Sequence, residues 1–317
     1  IGKGRESWGA GNNIELALSN NSNPYEYFLI ASDYGKIRVR YIHGFLENIG
    51  KNINRYINAR GLEWTNRKSL IIGFSETLIY SGENRSLDIG YINPIASHLE
   101  IELNDRLNIS GTSNANAVWQ IHLDYLINER MRFSGNYLFD EFVIDEIQKK
   151  EGKEHGIAYS LRLSYAPIIL HKHILTLYGS IIYVGTPTFR HGIGENNFVN
   201  QGSPLGWHKG SDGQEISFGL NYYNKNNLIV SISSGFFQSG EENILQRSYK
   251  PYKDYIKGTF PSGQVNTTIY IDAHFDYQLK SYLLFSSELN LYKNNEKNRQ
   301  LEIMFGMQLS YTFSNFL

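Results

Sequence analysis

The segment from Leu301 to Phe313 places the strongest constraint on the fold of this chain. Apolar and polar side chains alternate along it, which is the two-residue period of a β-strand with one apolar face. That face comprises Leu301, Ile303, Phe305, Met307, Leu309, Tyr311 and Phe313. Strands of soluble proteins usually span about five to six residues, whereas a tilted strand that crosses a bilayer needs about nine to eleven. The segment therefore indicates a membrane-crossing strand.

The composition agrees with a membrane β-barrel and argues against other classes. Aromatic residues make up 14% of the chain and charged residues 19%, below the roughly 25% charged residues of ordinary globular proteins. The 30 basic and 31 acidic side chains balance, so there is no strongly basic surface for a nucleic-acid partner. The absence of cysteine excludes disulfides and thiolate metal sites. No apolar run is long enough for a transmembrane helix, and no signal peptide opens the chain, so we expect it to be part of a longer protein.

Alternation predicts about fourteen strands, with boundaries good to a few residues. They lie at 12–19, 25–32, 36–46, 58–66, 68–79, 116–127, 130–140, 155–165, 173–184, 214–223, 227–237, 266–278, 281–292 and 300–313. The connections alternate between short ones (33–35, 66–67, 128–129, 167–172, 224–226 and 280) and long ones (47–57, 80–115, 141–154, 185–213 and 238–265). Bacterial outer-membrane barrels have short periplasmic turns and long outer loops. The chain is therefore predicted to be all-β, a single antiparallel outer-membrane β-barrel domain over 1–317 with its long loops facing the cell exterior.

Closure of this barrel depends on the partner of the last strand, because sheet edges cannot face lipid. If 300–313 pairs with 12–19, the chain forms a closed barrel of about fourteen strands. If that edge is empty, the missing strands lie upstream of residue 1.

Assigning the apolar strand faces to lipid places a set of charged and imidazole side chains in the lumen. The set is Arg38, Arg40, Glu63, Glu76, His122, Asp124, Arg132, Arg162, Asp272, His274, Asp276, Glu288 and Glu302. These groups either pair with one another to rigidify the wall, or bind a hydrated polymer or hold a plug.

The connection at 80–115 contains a helical pattern after Asn93-Pro94, with apolar side chains at Ile95, Leu99 and Leu107. Proline in the first turn of a helix, preceded by asparagine, is a typical start signal. Long loops with their own helix are usually functional. We expect this helical loop, near 93–108, to fold into the lumen and narrow the pore.

The connections at 185–213 and 238–265 combine aromatic residues with Gly, Asn and Ser. Sugar sites use this combination, because aromatic rings pack against pyranose C–H faces while polar groups bind the hydroxyls. The candidates for polysaccharide binding are Phe198, Trp207, His208, Tyr249, Tyr252 and Tyr255. The alternative is that these are interfacial aromatic residues in ordinary polar loops.

The sequence predicts no catalytic, cofactor or metal site. His171-Lys172-His173 fits a solvated turn better than a metal site. The carboxylates Asp140, Glu141, Asp145 and Glu146 fit a solvated acidic patch better than a calcium loop. His191 and His208 lie near Asp212 and Glu215 in the sequence and can form a histidine–acid group, but nothing fixes their geometry.

The N-terminal run Gly4-Arg5-Glu6-Ser7-Trp8-Gly9-Ala10-Gly11, followed by Leu18-Ser19-Asn20 and Pro24, resembles the Wzi capsule-assembly family of outer-membrane proteins. Leu62-Glu63-Trp64, Gly73-Phe74-Ser75-Glu76, Tyr91-Ile92-Asn93-Pro94 and Asp140-Glu141-Phe142 with Asp145 also resemble Bacteroidetes-type members of that family. The resemblance implies structural roles for Arg5, Trp8, Gly9 and Gly11, and we expect Arg5 to pair with Glu6 in the lumen.

The resemblance implies a non-enzymatic surface lectin that holds capsular or extracellular polysaccharide on the cell, embedded in outer-membrane lipid and lipopolysaccharide. It also implies a whole barrel of up to eighteen strands, with the N-terminal ones missing from this chain. It carries over no catalytic residues and no cofactor. Two alternatives stay open at this point. A porin or substrate-specific channel predicts an open, conducting lumen, and an outer-membrane hydrolase predicts that a histidine and an acid meet at the outer rim.

Overall fold

The computed structural model describes residues 1–50, 52–103, 115–141, 146–225, 227–252, 257–295 and 300–309. Its strands are β1 (Gly2–Gly4), β2 (Tyr25–Tyr34), β3 (Ile37–Phe45), β4 (Ile53–Thr65), β5 (Leu70–Glu83), β6 (Ala115–Asn128), β7 (Met131–Glu141), β8 (Gly156–Ile169), β9 (His173–Val184), β10 (Val199–Asn200), β11 (Ser203–Pro204), β12 (Gly213–Asn224), β13 (Leu228–Ser239), β14 (Asn266–Lys280), β15 (Leu283–Asn294) and β16 (Gln300–Leu309). Short helices lie at α1 (Ile89–Ile92), α2 (His98–Leu103) and α3 (Glu146–Lys150), with a 3₁₀ turn at Gly194–Asn196.

Fourteen strands form one antiparallel sheet in which neighbours in space are neighbours in the chain. The exceptions, β10 and β11, form a separate hairpin inside the connection between β9 and β12. The sheet confirms the predicted all-β fold and the predicted strands from 25–32 onward. The last predicted strand is found at Gln300–Leu309, and its predicted continuation to 313 lies outside the described residues. No helix in the described part of the chain is long and apolar enough to span a membrane.

Alternate side chains give the sheet two different faces. In β14, Tyr270, Asp272 and His274 point to one face, while Ile269 and Ile271 are exposed on the other. The same alternation leaves large apolar side chains exposed on most strands, including Phe218, Leu163, Phe74 and Phe305. Exposed apolar surface of this extent is typical of a lipid-facing wall. We call this the outer face and the opposite one the inner face.

A layer of chain covers much of the inner face, and it consists of residues 5–24 and 185–212. Trp8 donates its backbone N–H to Leu18, Trp207 donates to Leu16, and Ser19 donates to Leu205. The apolar side chains of this inner layer pack on inner-face residues of β3 to β9 in one continuous core. The barrel interior of the described structure is therefore occupied by folded chain.

The predicted strand at 12–19 is wrong, because this segment belongs to the inner layer. Ile14, Leu16 and Leu18 do alternate in sequence, but Ala17 and Ser19 are buried as well. Because this segment is enclosed on both sides, neither of its sides faces lipid, and its alternation does not mark a membrane strand. The small strand β1 takes the edge position instead, pairing Gly2–Gly4 with Tyr25–Tyr27 of β2.

Within the described residues, β16 pairs only with β15, so the predicted pairing with 12–19 does not occur. Every neighbouring pair in the sheet is antiparallel, and β2 and β16 consequently run in the same direction. A barrel closed by antiparallel pairs alone therefore needs an odd number of strands in the gap that separates β16 from β2. β1 has the required direction but spans three residues, against ten in β16.

The predicted inward fold of the helical loop near 93–108 is wrong for its described part. Asn58 and Arg60 contact the segment of α1, and both share the side of β4 that carries the exposed residues Leu62 and Trp64. The segment 84–103, which we call the outer flap, thus lies against the outer face. Residues 104–108 lie outside the described residues.

Candidate functional site

The aromatic residues predicted to bind polysaccharide mostly have packing contacts. Phe198 and Trp207 are 1% exposed and belong to the core that the inner layer forms with the strands. Trp207 donates its indole N–H to Glu215 at 3.0 Å, and Tyr252 is buried with the Arg190 guanidinium 5.0 Å from its ring centre. These rings have no free face for a sugar in this arrangement.

The other loop candidates differ in their surroundings. Tyr249 packs against the core, with the Arg55 guanidinium 5.1 Å from its ring centre. His208 follows Trp207, and burial, with a smaller contribution from Lys209, lowers its pKa to about 3. This imidazole is therefore neutral at physiological pH. Tyr255 lies outside the described residues.

The residues of the N-terminal motif build the start of the inner layer. Glu6 accepts hydrogen bonds from Arg40 at 2.7 Å and Tyr27 at 2.8 Å, so its partner is Arg40 and not the expected Arg5. Arg5 donates to the carbonyl oxygen of Ser22 at 2.6 Å. The contacts of this motif tie the inner layer to β2 and β3.

Trp8, Gly9 and Gly11 have the steric roles that structural residues need. Trp8 is buried against Gly61 of β4, where a methyl group would meet its ring. Gly9 and Gly11 have φ angles of +126° and +79°, which side chains rarely adopt. A Cβ atom at Gly9 would also overlap the side-chain amide of Asn136.

The lumen candidates on β3 and β6 all lie on the inner face and have ionic partners. Arg40 binds Glu6 as described, and Arg38 lies 2.9 Å from Asp33 near the turn. His122 contacts Glu63 at 3.1 Å, and Asp124 is paired with Arg132. These groups fasten the inner layer and link neighbouring strands. Glu76, which was also expected inside, lies on the outer face beneath the outer flap.

Four further lumen candidates, Arg162, Asp272, His274 and Glu288, come together at one polar cavity of about 340 Å³ between the inner layer and β8–β15. We call it the inner cavity. Its lining consists of Asn12, Asn13, Glu15, Asn20, Arg162, Tyr178, Asn221, Ser231, Ile232, Ser233, Asp272, Ala273, His274, Glu288 and Asn290. Asp276 lies beside it and contacts His274 at 3.1 Å. Sequence alternation found Arg162, Asp272 and His274 but not the asparagines of the inner layer, of which Asn12 and Asn13 fall in the strand predicted at 12–19.

Arg162 and Asp272 define the two sides of the inner cavity. The Arg162 guanidinium lies 3.6 Å from the ring centre of Tyr178 and donates to the carbonyl oxygen of Asn12 at 2.8 Å. Across the cavity, Asp272 interacts with the Tyr292 hydroxyl, while its buried Oδ1 atom accepts no hydrogen bond from the described residues. Burial raises the pKa of Glu15, although Arg162 acts in the opposite direction. The cavity therefore presents hydrogen-bonding groups of both kinds and one unused buried acceptor.

The suggested histidine–acid group has other contacts in the structure. Asp212 accepts hydrogen bonds from Thr186 at 2.8 Å and from the Ser262 backbone at 2.9 Å, and Glu215 accepts from Trp207 and Tyr270. Both carboxylates thus hold loops in place. Of the other acids, Asp140 accepts the Phe189 backbone N–H at 2.7 Å, and Asp145 lies outside the described residues. Within the described ranges, no group of three or more histidine and acidic side chains is arranged to hold a metal ion.

The fold resembles that of solved outer-membrane proteins. The structure of Wzi from Escherichia coli, described as an outer-membrane protein involved in group 1 capsule assembly and as a carbohydrate-binding β-barrel, superposes with a TM-score of 0.69 and 12% sequence identity. The alignment covers 96% of this chain and 66% of Wzi, so the chain spans just under two thirds of the length of Wzi. This likeness shows an outer-membrane β-barrel fold, and at that identity it does not show membership of the Wzi family.

Two further structures are more distant. An OccD1 (OprD) variant gives a TM-score of 0.48 at 11% identity, covering 94% of this chain and 72% of its own. The CymD monoaromatic hydrocarbon channel gives 0.40 at 9% identity, covering 98% and 87%. No protein-family model matches the chain, and no curated protein matches it.

Proposed function

We propose that this chain is an outer-membrane β-barrel that binds a capsular or extracellular polysaccharide through its inner cavity. The observation that supports this most directly is the convergence of Arg162, Asp272 and His274 with inner-layer asparagines around one polar cavity. In this proposal residues 1–317 form one barrel domain, the long loops face the cell exterior, and the protein is not an enzyme. The fold is shared with Wzi, which is described as a carbohydrate-binding β-barrel.

The chemistry of the inner cavity suits a sugar. Its amide, hydroxyl and carboxylate groups can donate to and accept from sugar hydroxyls. A volume of about 340 Å³ lies in the range of small-ligand sites. The unused Oδ1 atom of Asp272 is an acceptor that a sugar hydroxyl would satisfy, since buried acceptors without a partner are costly.

The charges of the cavity favour a neutral sugar. Glu15, Asp272 and Glu288 contribute three carboxyl groups, whereas the basic groups are Arg162 and the His274 imidazole. An additional carboxylate from a uronic acid would be repelled by this acidic lining. We therefore assign neutral hexose units as the preferred ligand class.

The filled interior favours binding over passive permeation. The inner layer packs into a continuous core with the strands and is tied to β3, β4, β7 and β8 by hydrogen bonds. A wide pore would require this layer to leave. The runner-up function is a substrate-specific channel that conducts along the uncovered part of the inner wall.

The proposal is tested by calorimetric titration of the detergent-purified protein with oligosaccharides. The ligands are fragments of the surface polysaccharide of the source cells, neutral hexose oligomers and uronic-acid oligomers. Asp272→Asn keeps the shape of the side chain and removes its charge, and should weaken sugar binding roughly 10- to 150-fold, as expected for one charged hydrogen bond. Asp33→Asn is the matched control, because Asp33 lies exposed at a turn and pairs with Arg38.

Three results would contradict the proposal in different ways. Equal affinities of Asp272→Asn and wild type would remove the inner cavity as the site. Tighter binding of uronic-acid oligomers would refute the preference for neutral sugars. Stable single-channel conductance together with no sugar binding would favour the channel.

A further inference from the structure

The outer face carries a row of polar side chains, Tyr41, Arg60 and Glu76, at paired positions of β3, β4 and β5. Arg60 of β4 and Glu76 of β5 are direct cross-strand partners and form an ion pair at 3.1 Å. Glu76 shares its face with the exposed Ile72 and Phe74 on the same strand. Without a cover, this ion pair would face hydrocarbon, where charged groups are strongly disfavoured.

The outer flap supplies the hydrogen bonds that this polar row needs. Arg60 donates to the carbonyl oxygen of Asn93 at 3.1 Å, and the Tyr41 hydroxyl donates to that of Ile92 at 2.6 Å. In return, the backbone N–H of His98 donates to Glu76 at 3.1 Å. The flap therefore seals the polar row with its backbone.

Stacked rings fix the flap to the wall in the same place. The ring of Tyr91 lies 4.7 Å from that of Tyr80, which in turn lies 4.8 Å from Tyr56. His98 continues the series between Tyr91 and Trp119, at 6.0 Å and 6.3 Å. This aromatic series joins the flap to three adjacent strands.

The outer flap does not have the polarity of a water-facing loop, because it buries a charged pair and exposes large apolar side chains. Two of its ionisable residues, Arg85 and Asp88, are buried and paired with each other at 3.4 Å. On its free side, Ile89 is 77% exposed and Ile95 is 88% exposed, and Leu87 and Leu99 are exposed as well. Ordinary surface loops place charges outward and isoleucine inward.

We propose that the outer flap is an in-plane membrane segment whose exposed side inserts among the lipid acyl chains of the leaflet at the long-loop end. The argument for lipid as the occupant is continuity. The flap rests on the same face as the apolar side chains Phe74 and Ile121 of adjacent strands, so its isoleucines extend the lipid-facing surface over the polar row. The inference requires a membrane-embedded sheet but is independent of sugar binding.

The absence of cysteine from the chain permits a direct test by site-directed spin labelling. Ile95→Cys and Ile89→Cys variants are labelled and reconstituted in phosphatidylcholine vesicles, and collision with oxygen is compared with collision with a water-soluble nickel chelate. Phe218→Cys, 65% exposed on the outer face, is the lipid control. Lys36→Cys, in the exposed turn between β2 and β3, is the water control.

We expect labels at 95 and 89 to collide more often with oxygen than with the nickel chelate, as at position 218. A preference for the nickel chelate, as at position 36, would overturn the proposal. Strong dipolar broadening between labels at 95, lost on dilution with unlabelled protein, would also overturn it by identifying a second copy of the chain as the occupant. Because position 95 is almost fully exposed, neither cysteine nor label should disturb the fold, which heat-modifiable gel mobility verifies.

Discussion

Arg55 is the side chain whose loss should release the inner layer from the wall most selectively. Its side chain is fully buried. It donates to the carbonyl oxygens of Glu195 at 2.5 Å, Asn197 at 2.9 Å and Val199 at 2.9 Å. One guanidinium on β4 thus satisfies three backbone acceptors of the connection between β9 and β12.

Replacing Arg55 by methionine keeps most of the stem and removes every donor. Each charged hydrogen bond contributes about 1.5–3 kcal/mol, and a buried guanidinium also carries a desolvation cost that the substitution relieves. Setting these terms against each other gives a loss of about 3 kcal/mol in the docking of residues 193–205. Such a loss raises the opening equilibrium of this segment roughly 150-fold.

Amide hydrogen exchange followed by mass spectrometry measures this opening in the reconstituted protein. The informative amides are Phe198, which donates to Phe189, and Leu205, which donates to Phe198. Arg67→Met is the matched control, because Arg67 donates to the Gly35 carbonyl oxygen at an exposed turn, where such contacts contribute little. Unchanged exchange of residues 193–205 in Arg55→Met, with normal barrel assembly, would refute this account of the inner layer.

Three further predictions concern the same layer. Gly206→Ala should strongly reduce folding yield, measured by heat-modifiable mobility, since its Cβ atom would overlap the carbonyl oxygen of Leu16, whereas Gly258→Ala, with nothing within 4 Å, should fold normally. Asn136→Leu should destabilise the protein by about 2–4 kcal/mol in urea unfolding, because Asn136 holds Ala10 in both directions and also donates to Ile14; equal stability would count against this anchoring role. His208 has a pKa lowered to about 3 by burial, so its neutral form is favoured by folding. Its contribution is fully present above its ordinary pKa of about 6.5 and is lost as the pH falls toward about 3; the urea midpoint of the wild type should fall more between about pH 7.5 and 4.5 than that of His208→Asn.

Alternation predicted the strands well wherever one face meets lipid. Ile269 and Ile271 have the opposite parity to Asp272 and His274 in the sequence, and the two pairs lie on opposite faces of the sheet. The reason is that a pleated strand between lipid and a polar interior has two different environments. The same signal misled at 12–19. There the alternating residues Ile14, Leu16 and Leu18 are real core residues, but the core encloses them from all sides, and a single sequence does not distinguish an interior segment from a wall strand.

The loop aromatics show a second limit of sequence reasoning. Phe198 and Trp207 occur among polar residues, a composition that suits both a sugar-binding surface and a folded plug with its own core. Their burial depends on contacts with the N-terminal segment, which is distant in sequence, such as the hydrogen bond from the Trp207 backbone N–H to the carbonyl oxygen of Leu16. The lumen charges were easier to place, because strand parity alone assigns Arg162 and Asp272 to the inner face.

The outer flap, in contrast, left a signal in the sequence. Ile72, Phe74, Glu76 and Leu78 share one parity of β5, so assigning the apolar members to lipid places Glu76 there as well. Arg60 shares parity with Leu62 and Trp64 of β4 and lies directly opposite Glu76 in the sheet. An acid and a base at paired positions of a lipid-facing wall require a polar cover, and the connection that follows β5 is the nearest segment long enough to provide one. If all residues of one parity, charged ones included, are assigned to the lipid-facing side of these strands, the sequence therefore predicts a segment folded back over the outer face.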